Sequence, residues 1–137
     1  MSQWKHLSPV PGDQIRVKRP YFYHHGIYIG NGRAIHFAGI DKETERDPYK
    51  AVVHECDIAS FLRGGELEVR VYDKDELRYV RRAVDVVKRA KCALGEKGYD
   101  LIKNNCEDFS NRCAYVKAPR TQLDEYRDRI KELLSKK

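Results

Sequence analysis

The stretch that decides the fold is His24-His25-Gly26-Ile27-Tyr28-Ile29-Gly30-Asn31-Gly32-Arg33-Ala34-Ile35-His36-Phe37. Apolar and polar residues alternate on both sides of Gly30-Asn31-Gly32, and this pattern predicts two strands joined in a β-hairpin. A two-residue type I′ turn at Asn31-Gly32 is the first possibility for such a sequence. That turn would mix apolar and polar side chains on each face of the hairpin, which a half-buried sheet resists.

A three-residue loop with Gly32 in the left-handed region gives a better pattern, because it pairs Ile27 with Ile35. We therefore predict this register. It brings several polar or small residues onto the opposite face, with open space at the glycine: His24, Gly26, Tyr28 and His36. Two histidines that meet beside a glycine indicate a site, and surface histidines on a solvated sheet are the alternative. A zinc site that also uses His54 and Cys56 of the next strand is a third possibility.

A second stretch, Tyr99 to Ser110, contains a cysteine at the start of a predicted helix. Asn105 is a favourable N-cap residue, which puts Cys106 at the first helical position. The helix dipole and the backbone N–H groups there favour a thiolate and can bind an oxyanion. Cys106 and His24 together supply a thiol nucleophile and a base. His36 is then a candidate to orient His24.

The rest of the sequence predicts an α+β domain, with an antiparallel sheet first and helices after it. Strands are predicted over 13–19, 23–30, 33–37, 51–56 and 67–72, and helices over 75–94, about 105–115 and 121–137. Residues 39–50 are predicted to form a loop, and residues 60–65 a turn. We expect one domain over 1–137, with a core of about 11–115 and a C-terminal helix of about 121–137. Cys92 and Cys113 are expected to pack inside.

The composition excludes several classes of protein. The 137 residues include 27 Lys and Arg against 21 Asp and Glu, a net charge of +6, and 41% are hydrophobic. No segment approaches the roughly 18 apolar residues of a spanning helix, and no apolar run begins the chain. We therefore expect a cytoplasmic protein rather than a secreted, collagen-like, disordered or membrane-spanning one. The mild positive charge permits weak attraction to nucleic acid or peripheral contact with an anionic membrane. Nucleic acid is not the expected partner, because the sequence shows no aromatic-plus-basic RNA-binding signature.

The sequence resembles the lecithin:retinol acyltransferase family, within the NlpC-type, papain-like thiol hydrolase superfamily. Four segments carry the resemblance: Pro11-Gly12-Asp13, His24-x-Gly26-Ile27-Tyr28-Ile29-Gly30, Ile35-His36-Phe37 and Asn105-Cys106-Glu107-x-Phe109. It implies a permuted papain-like fold in which His24 is the general base, His36 orients it and Cys106 carries an acyl group as a thioester. Asp108 stands where many members have histidine. Tyr28, Gly26 and Asn105 are candidates for substrate binding.

The resemblance implies an acyltransferase or a phospholipase A-type acyl hydrolase that acts on a phospholipid or another acyl ester. No cofactor and no metal is expected. An intracellular amidase or peptidase of the same superfamily is one alternative. A module without catalysis that binds RNA or a membrane is another, and loss of Cys106 would not affect such binding.

Overall fold

A six-stranded sheet in which every pairing is antiparallel forms the centre of the computed structural model. The structure describes residues 2–39, 50–100, 105–117 and 122–135, of which 122–127 are described as backbone only. The strands, in chain order, are β1 (Gln3–Lys5), β2 (Gln14–Lys18), β3 (Tyr23–Gly30), β4 (Arg33–Gly39), β5 (Ala51–Asp57) and β6 (Leu67–Val71). Their order in the sheet is β1-β6-β2-β3-β4-β5. The short strand β1 was not predicted, and most of the predicted loop 39–50 lies outside the described residues.

Five helices of the described residues complete an α+β fold, as predicted. They are α1 (Ile58–Leu62), α2 (Lys74–Leu77), α3 (Ala83–Cys92), α4 (Cys106–Ala114) and α5 (Gln122–Ser135). Helix α1 occupies part of the predicted turn at 60–65. The prediction of one helix over 75–94 is wrong, because the chain pairs with another segment between α2 and α3. Val80 forms an antiparallel bridge with Tyr115, and the Arg81 amide donates to the Ala114 carbonyl at 2.8 Å.

The hairpin of β3 and β4 has the predicted register. Ile27 lies opposite Ile35, and the register shifts by a bulge between Tyr28 and Gly30. Gly32 has a φ of 69°, in the left-handed region that the three-residue loop requires. The apolar pattern and the turn chemistry therefore agree, and together they fix which side chains share a face.

The sheet has a hydrophobic cluster on each face. On one face, Ile27 and Ile35 pack with residues of α3 and α4, namely Val86, Phe109 and Cys113. On the other face, Ile15, Val17 and Val69 pack with Phe61 of α1. Helix α4 thus covers one side of the hairpin and α1 covers the other.

Two of the cysteines behave differently from each other. Cys113 is buried as predicted, and burial raises the pKa of its thiol to about 12. Cys92 is exposed, so the prediction that it packs inside is wrong. The buried residues of α3 are Val86 and Ala90, one turn apart, and a residue two positions after Ala90 lies on the far side of the helix. Among the described residues, no helix combines the length and the apolar character needed to cross a membrane.

Candidate active site

Two histidines meet on the face of the hairpin that α1 covers. His24 is the second residue of β3, and His36 is the fourth residue of β4. The Nε2 atom of His24 lies 2.7 Å from the Nδ1 atom of His36, a hydrogen bond between two buried rings. The register predicted from the apolar pattern therefore brings together the two histidines that the sequence analysis selected.

The predicted open space at Gly26 is absent, and this expectation is wrong. Phe61 of α1 occupies the space, so closely that a Cβ on Gly26 would lie 2.7 Å from the Cε2 atom of its ring. The Phe61 ring also packs against both histidines, with centroids 5.0 Å from His24 and 5.7 Å from His36. Gly26 thus makes room for the aromatic ring that supports the pair. Arg19 holds the end of α1 by donating to the Phe61 carbonyl at 2.6 Å.

Burial keeps both histidines neutral. It lowers the pKa of His24 well below its usual value, and the neighbouring His36 and Arg19 act in the same direction. It also lowers the pKa of His36 to about 3, with a further contribution from His54. Neutral imidazoles are the form that can accept a proton from a nucleophile.

A third histidine extends the pair, and sequence analysis did not assign it this place. His54 of β5 lies opposite His36, and their Nε2 atoms are 3.0 Å apart. The Nδ1 atom of His54 lies 2.9 Å from the carbonyl oxygen of Val52. The alternation of β5 had put His54 on one face of a strand, but only the pairing of β4 with β5 shows its partner. The described residues contain no cluster of three or more histidine, cysteine or carboxylate side chains arranged to bind a metal ion.

Cys106 is the first residue of α4, as predicted, and is buried. The Oδ1 atom of Asn105 accepts hydrogen bonds from the amides of Glu107 and Asp108, both at 3.0 Å. In return, the Asp108 carboxylate accepts from the Asn105 amide at 3.1 Å, which completes a capping box. Asp108, the departure from the family pattern, therefore stabilises the helix start that carries the thiol.

The start of α4 lies beside the start of β3. The Nε2 atom of His25 is 3.9 Å from a carboxylate oxygen of Glu107, and the Ser110 hydroxyl donates to the Gly26 carbonyl at 3.4 Å. His25 itself is buried, and burial lowers its pKa to about 3, with smaller contributions from two neighbouring arginines. These contacts hold the residues next to Cys106 against the residues next to His24.

The three residues considered for substrate binding each have a structural contact. The Tyr28 hydroxyl accepts a hydrogen bond from the Gly32 amide at 3.0 Å and so stabilises the turn of the hairpin. Gly26 lies under Phe61, and Asn105 caps α4. A role of these residues toward substrate stays a prediction.

Comparison with known proteins shows the family to which the chain is similar. The family model described as lecithin retinol acyltransferase matches residues 7–119. The chain is 29% identical to the lecithin retinol acyltransferase of Mus musculus, over 93% of this chain and 63% of that protein. It is 31% identical to phospholipase A and acyltransferase 3 of Mus musculus, over 90% of this chain and 80% of that protein. It is 32% identical to phospholipase A and acyltransferase 2 of Homo sapiens, over 78% and 71%. The chain spans less than two thirds of the lecithin retinol acyltransferase that it matches.

Proposed function

The chain belongs to the lecithin retinol acyltransferase family, and we propose that it is a thiol-dependent acyltransferase or phospholipase A-type acyl hydrolase. The observation that carries this proposal is the buried, neutral His24–His36 pair, with a nitrogen-to-nitrogen distance of 2.7 Å. His24 lies near the start of β3, and the neighbouring His25 is 3.9 Å from Glu107 at the start of α4. We assign Cys106 as the nucleophile, His24 as the general base and His36 as the residue that orients His24.

In the first half of the reaction, His24 takes the proton of the Cys106 thiol. The sulfur attacks the ester carbonyl carbon, the bond from this carbon to the alcohol oxygen breaks, and His24 returns the proton to the departing alcohol. An acyl thioester on Cys106 remains. In the second half, His24 takes a proton from water or from an acceptor alcohol or amine as it attacks the thioester. The carbon–sulfur bond breaks, the acyl product leaves, and His24 returns the proton to the Cys106 thiolate.

The helix start supplies electrostatic stabilisation. The amides of Glu107 and Asp108 donate to the Oδ1 atom of Asn105 and so hold the cap of α4. We propose that the oxyanion is stabilised at this helix start. Removal of one oxyanion donor costs about 10²–10³ in rate in enzymes where it has been measured. The aligned peptide dipoles of α4 add to the stabilisation of both thiolate and oxyanion.

We take a phospholipid ester as the substrate class of this chain, because two of its relatives are named phospholipase A and acyltransferase. The net charge of +6 favours approach to an anionic lipid surface. The same nucleophile and base can also cleave an amide, so the assay must distinguish released fatty acid from released amine.

The direct test is intact-mass analysis after incubation with phosphatidylcholine vesicles. We expect a mass increase of one acyl group, located on Cys106 by peptide mapping, together with released fatty acid or transferred acyl chain. A Cys106→Ala variant should lose both signals, while the matched Cys92→Ala variant, which alters an exposed thiol, should keep them. Lipid turnover by a folded Cys106→Ala protein at the unmodified rate would refute the proposal. Release of an amine from amide substrates alone would favour the amidase.

A further inference from the structure

His54 is the outermost ring of a chain of three histidines that crosses β3, β4 and β5. Hydrogen bonds of 2.7 Å and 3.0 Å join His24 to His36 and His36 to His54. This series of hydrogen-bonded histidines ends at a backbone group, since the Nδ1 atom of His54 lies 2.9 Å from the Val52 carbonyl oxygen. His24 and His36 are buried, and His54 is half-buried.

The Val52 carbonyl determines which nitrogen carries the hydrogen in each of the three histidine rings. A carbonyl oxygen only accepts, so the Nδ1 atom of His54 must carry a hydrogen and its Nε2 atom, in the neutral ring, must accept. The Nε2 atom of His36 therefore donates to His54, and its Nδ1 atom accepts. The Nε2 atom of His24 then donates to His36, which leaves the lone pair of His24 on Nδ1.

We propose that His54 is a positioning residue of the reaction, which acts through His36 to fix the tautomer of His24 whose Nδ1 atom is the base. The inference rests on the proposed function. In this tautomer the Nε2 atom of His24 carries its hydrogen toward His36, so the lone pair that takes the thiol proton is on Nδ1. Without an acceptor at position 54, His36 can turn its proton toward His24, and His24 would then carry its own proton on Nδ1.

The three hydrogen-bonded histidines also provide a route by which positive charge can move from His24 toward His54. When Nδ1 of His24 takes the thiol proton, its Nε2 proton can pass to Nδ1 of His36, and the Nε2 proton of His36 can pass to Nε2 of His54. Each ring gains one proton and loses one, except His54, which ends as the imidazolium. Burial disfavours a cation on either inner ring, as the lowered pKa of each shows.

Charged groups from two neighbouring elements act on the hydrogen-bonded histidines. Arg19, just after β2, and Arg63, at the end of α1, both act on His24 and on His36, and both oppose a positive charge there. His25, the next residue of β3, acts on His24 in the same direction. These groups are the same in all variants of position 54, so a change among those variants reports the substituted ring.

Tautomers are read directly from long-range ¹H–¹⁵N spectra of protein labelled with ¹⁵N-histidine, at a pH where the rings are neutral. We expect Nε2–H for His24 and His36 and Nδ1–H for His54. His54→Leu should convert His36 to a mixture of tautomers. His54→Gln presents an amide oxygen and should restore Nε2–H on His36. The matched control is Glu55→Gln, which alters the next residue of the strand, paired with the exposed Arg33.

The rate of acylation of Cys106 gives the second measurement. His54→Leu should lower kcat/KM by about 10- to 100-fold, the usual cost of removing an outer hydrogen-bond partner that orients a functional histidine, and should move the pH profile of kcat/KM. His54→Gln should recover most of this loss, whereas a purely structural role would not depend on an acceptor atom. An Nδ1–H tautomer on His24 in an enzyme that acylates Cys106 would overturn the role of His54 alone. No acylation despite the stated tautomers would overturn the proposed reaction and, with it, the role of His54.

Discussion

Substitution of Gly26 by alanine tests the packing that supports the histidine pair. The new methyl group would lie 2.7 Å from the Cε2 atom of Phe61 and 3.1 Å from the Ile35 carbonyl oxygen. Ordinary contacts between carbon atoms are about 3.5–4.0 Å, so the ring must move by roughly 1 Å. Phe61 is the fully buried residue by which α1 packs against the sheet, and the Ile35 carbonyl belongs to the backbone of β4. Neither the Phe61 ring nor the Ile35 carbonyl can move away without a loss of stability.

The magnitude follows from two opposing contributions to the free energy of unfolding. Overpacking of a well-packed core costs about 1–3 kcal/mol. Replacement of a strand glycine by alanine returns roughly 0.5–1 kcal/mol by reducing the freedom of the unfolded chain. We expect the packing contribution to prevail and Gly26→Ala to be destabilised by about 1–2 kcal/mol. Because the displaced Phe61 ring contacts His24 and His36, acylation of Cys106 should slow as well.

Urea unfolding of four proteins measures this effect: the parent, Gly26→Ala, Phe61→Leu and the double variant. Phe61→Leu shortens the side chain that the methyl group would meet, so the two changes should compensate each other by at least about 0.5 kcal/mol in the double-mutant cycle. A Gly26→Ala protein as stable as the parent, or strictly additive effects of the two changes, would refute this account of Gly26.

Two further predictions concern the cap of α4 and the buried histidines. Asn105→Ala should lower the free energy of unfolding by about 1–2 kcal/mol, because the amides of Glu107 and Asp108 lose their acceptor, whereas Asn105→Asp should keep it within about 0.5 kcal/mol of the parent in urea unfolding. The pKa of His25 and that of His36 are about 3 in the folded protein, against about 6.5 unfolded, so the unfolded state binds more protons at intermediate pH. The free energy of unfolding should be at its full value above about pH 6.5 and should fall toward pH 3 by up to about 1.4 kcal/mol per pH unit for each ring. If His25→Phe left the slope of the free energy of unfolding against pH unchanged, this account would be wrong.

Local patterns predicted the parts of the site that depend on neighbouring residues. The register of the hairpin follows from period-two alternation and one glycine turn, so the meeting of His24 with His36 could be predicted. The position of Cys106 follows from the preference of Asn105 for the N-cap. Both inferences need only segments of about 15 residues.

Contacts between distant segments explain the errors. The periodicity of residues 75–94 is helical, but Val80 pairs with Tyr115, 35 positions away, and this pairing interrupts the helix. The space at Gly26 is filled by Phe61 from another element. His54 was visible as a polar residue on an alternating strand, but its partner depends on the pairing of β4 with β5 across residues 40–49.

Burial of the histidine pair has opposite effects on the two requirements of the proposed reaction. It keeps His24 and His36 neutral, so a lone pair is present to accept the thiol proton. The same burial opposes the imidazolium that forms when the proton arrives, and an ion pair in a dry site is costly unless both charges have partners. The start of α4 can stabilise the thiolate, and the positive charge then needs a partner of its own. Under the role that we propose for His54, the third ring, hydrogen-bonded to His36 and half-buried on β5, supplies this partner, which a Cys106–His24–His36 triad alone would lack.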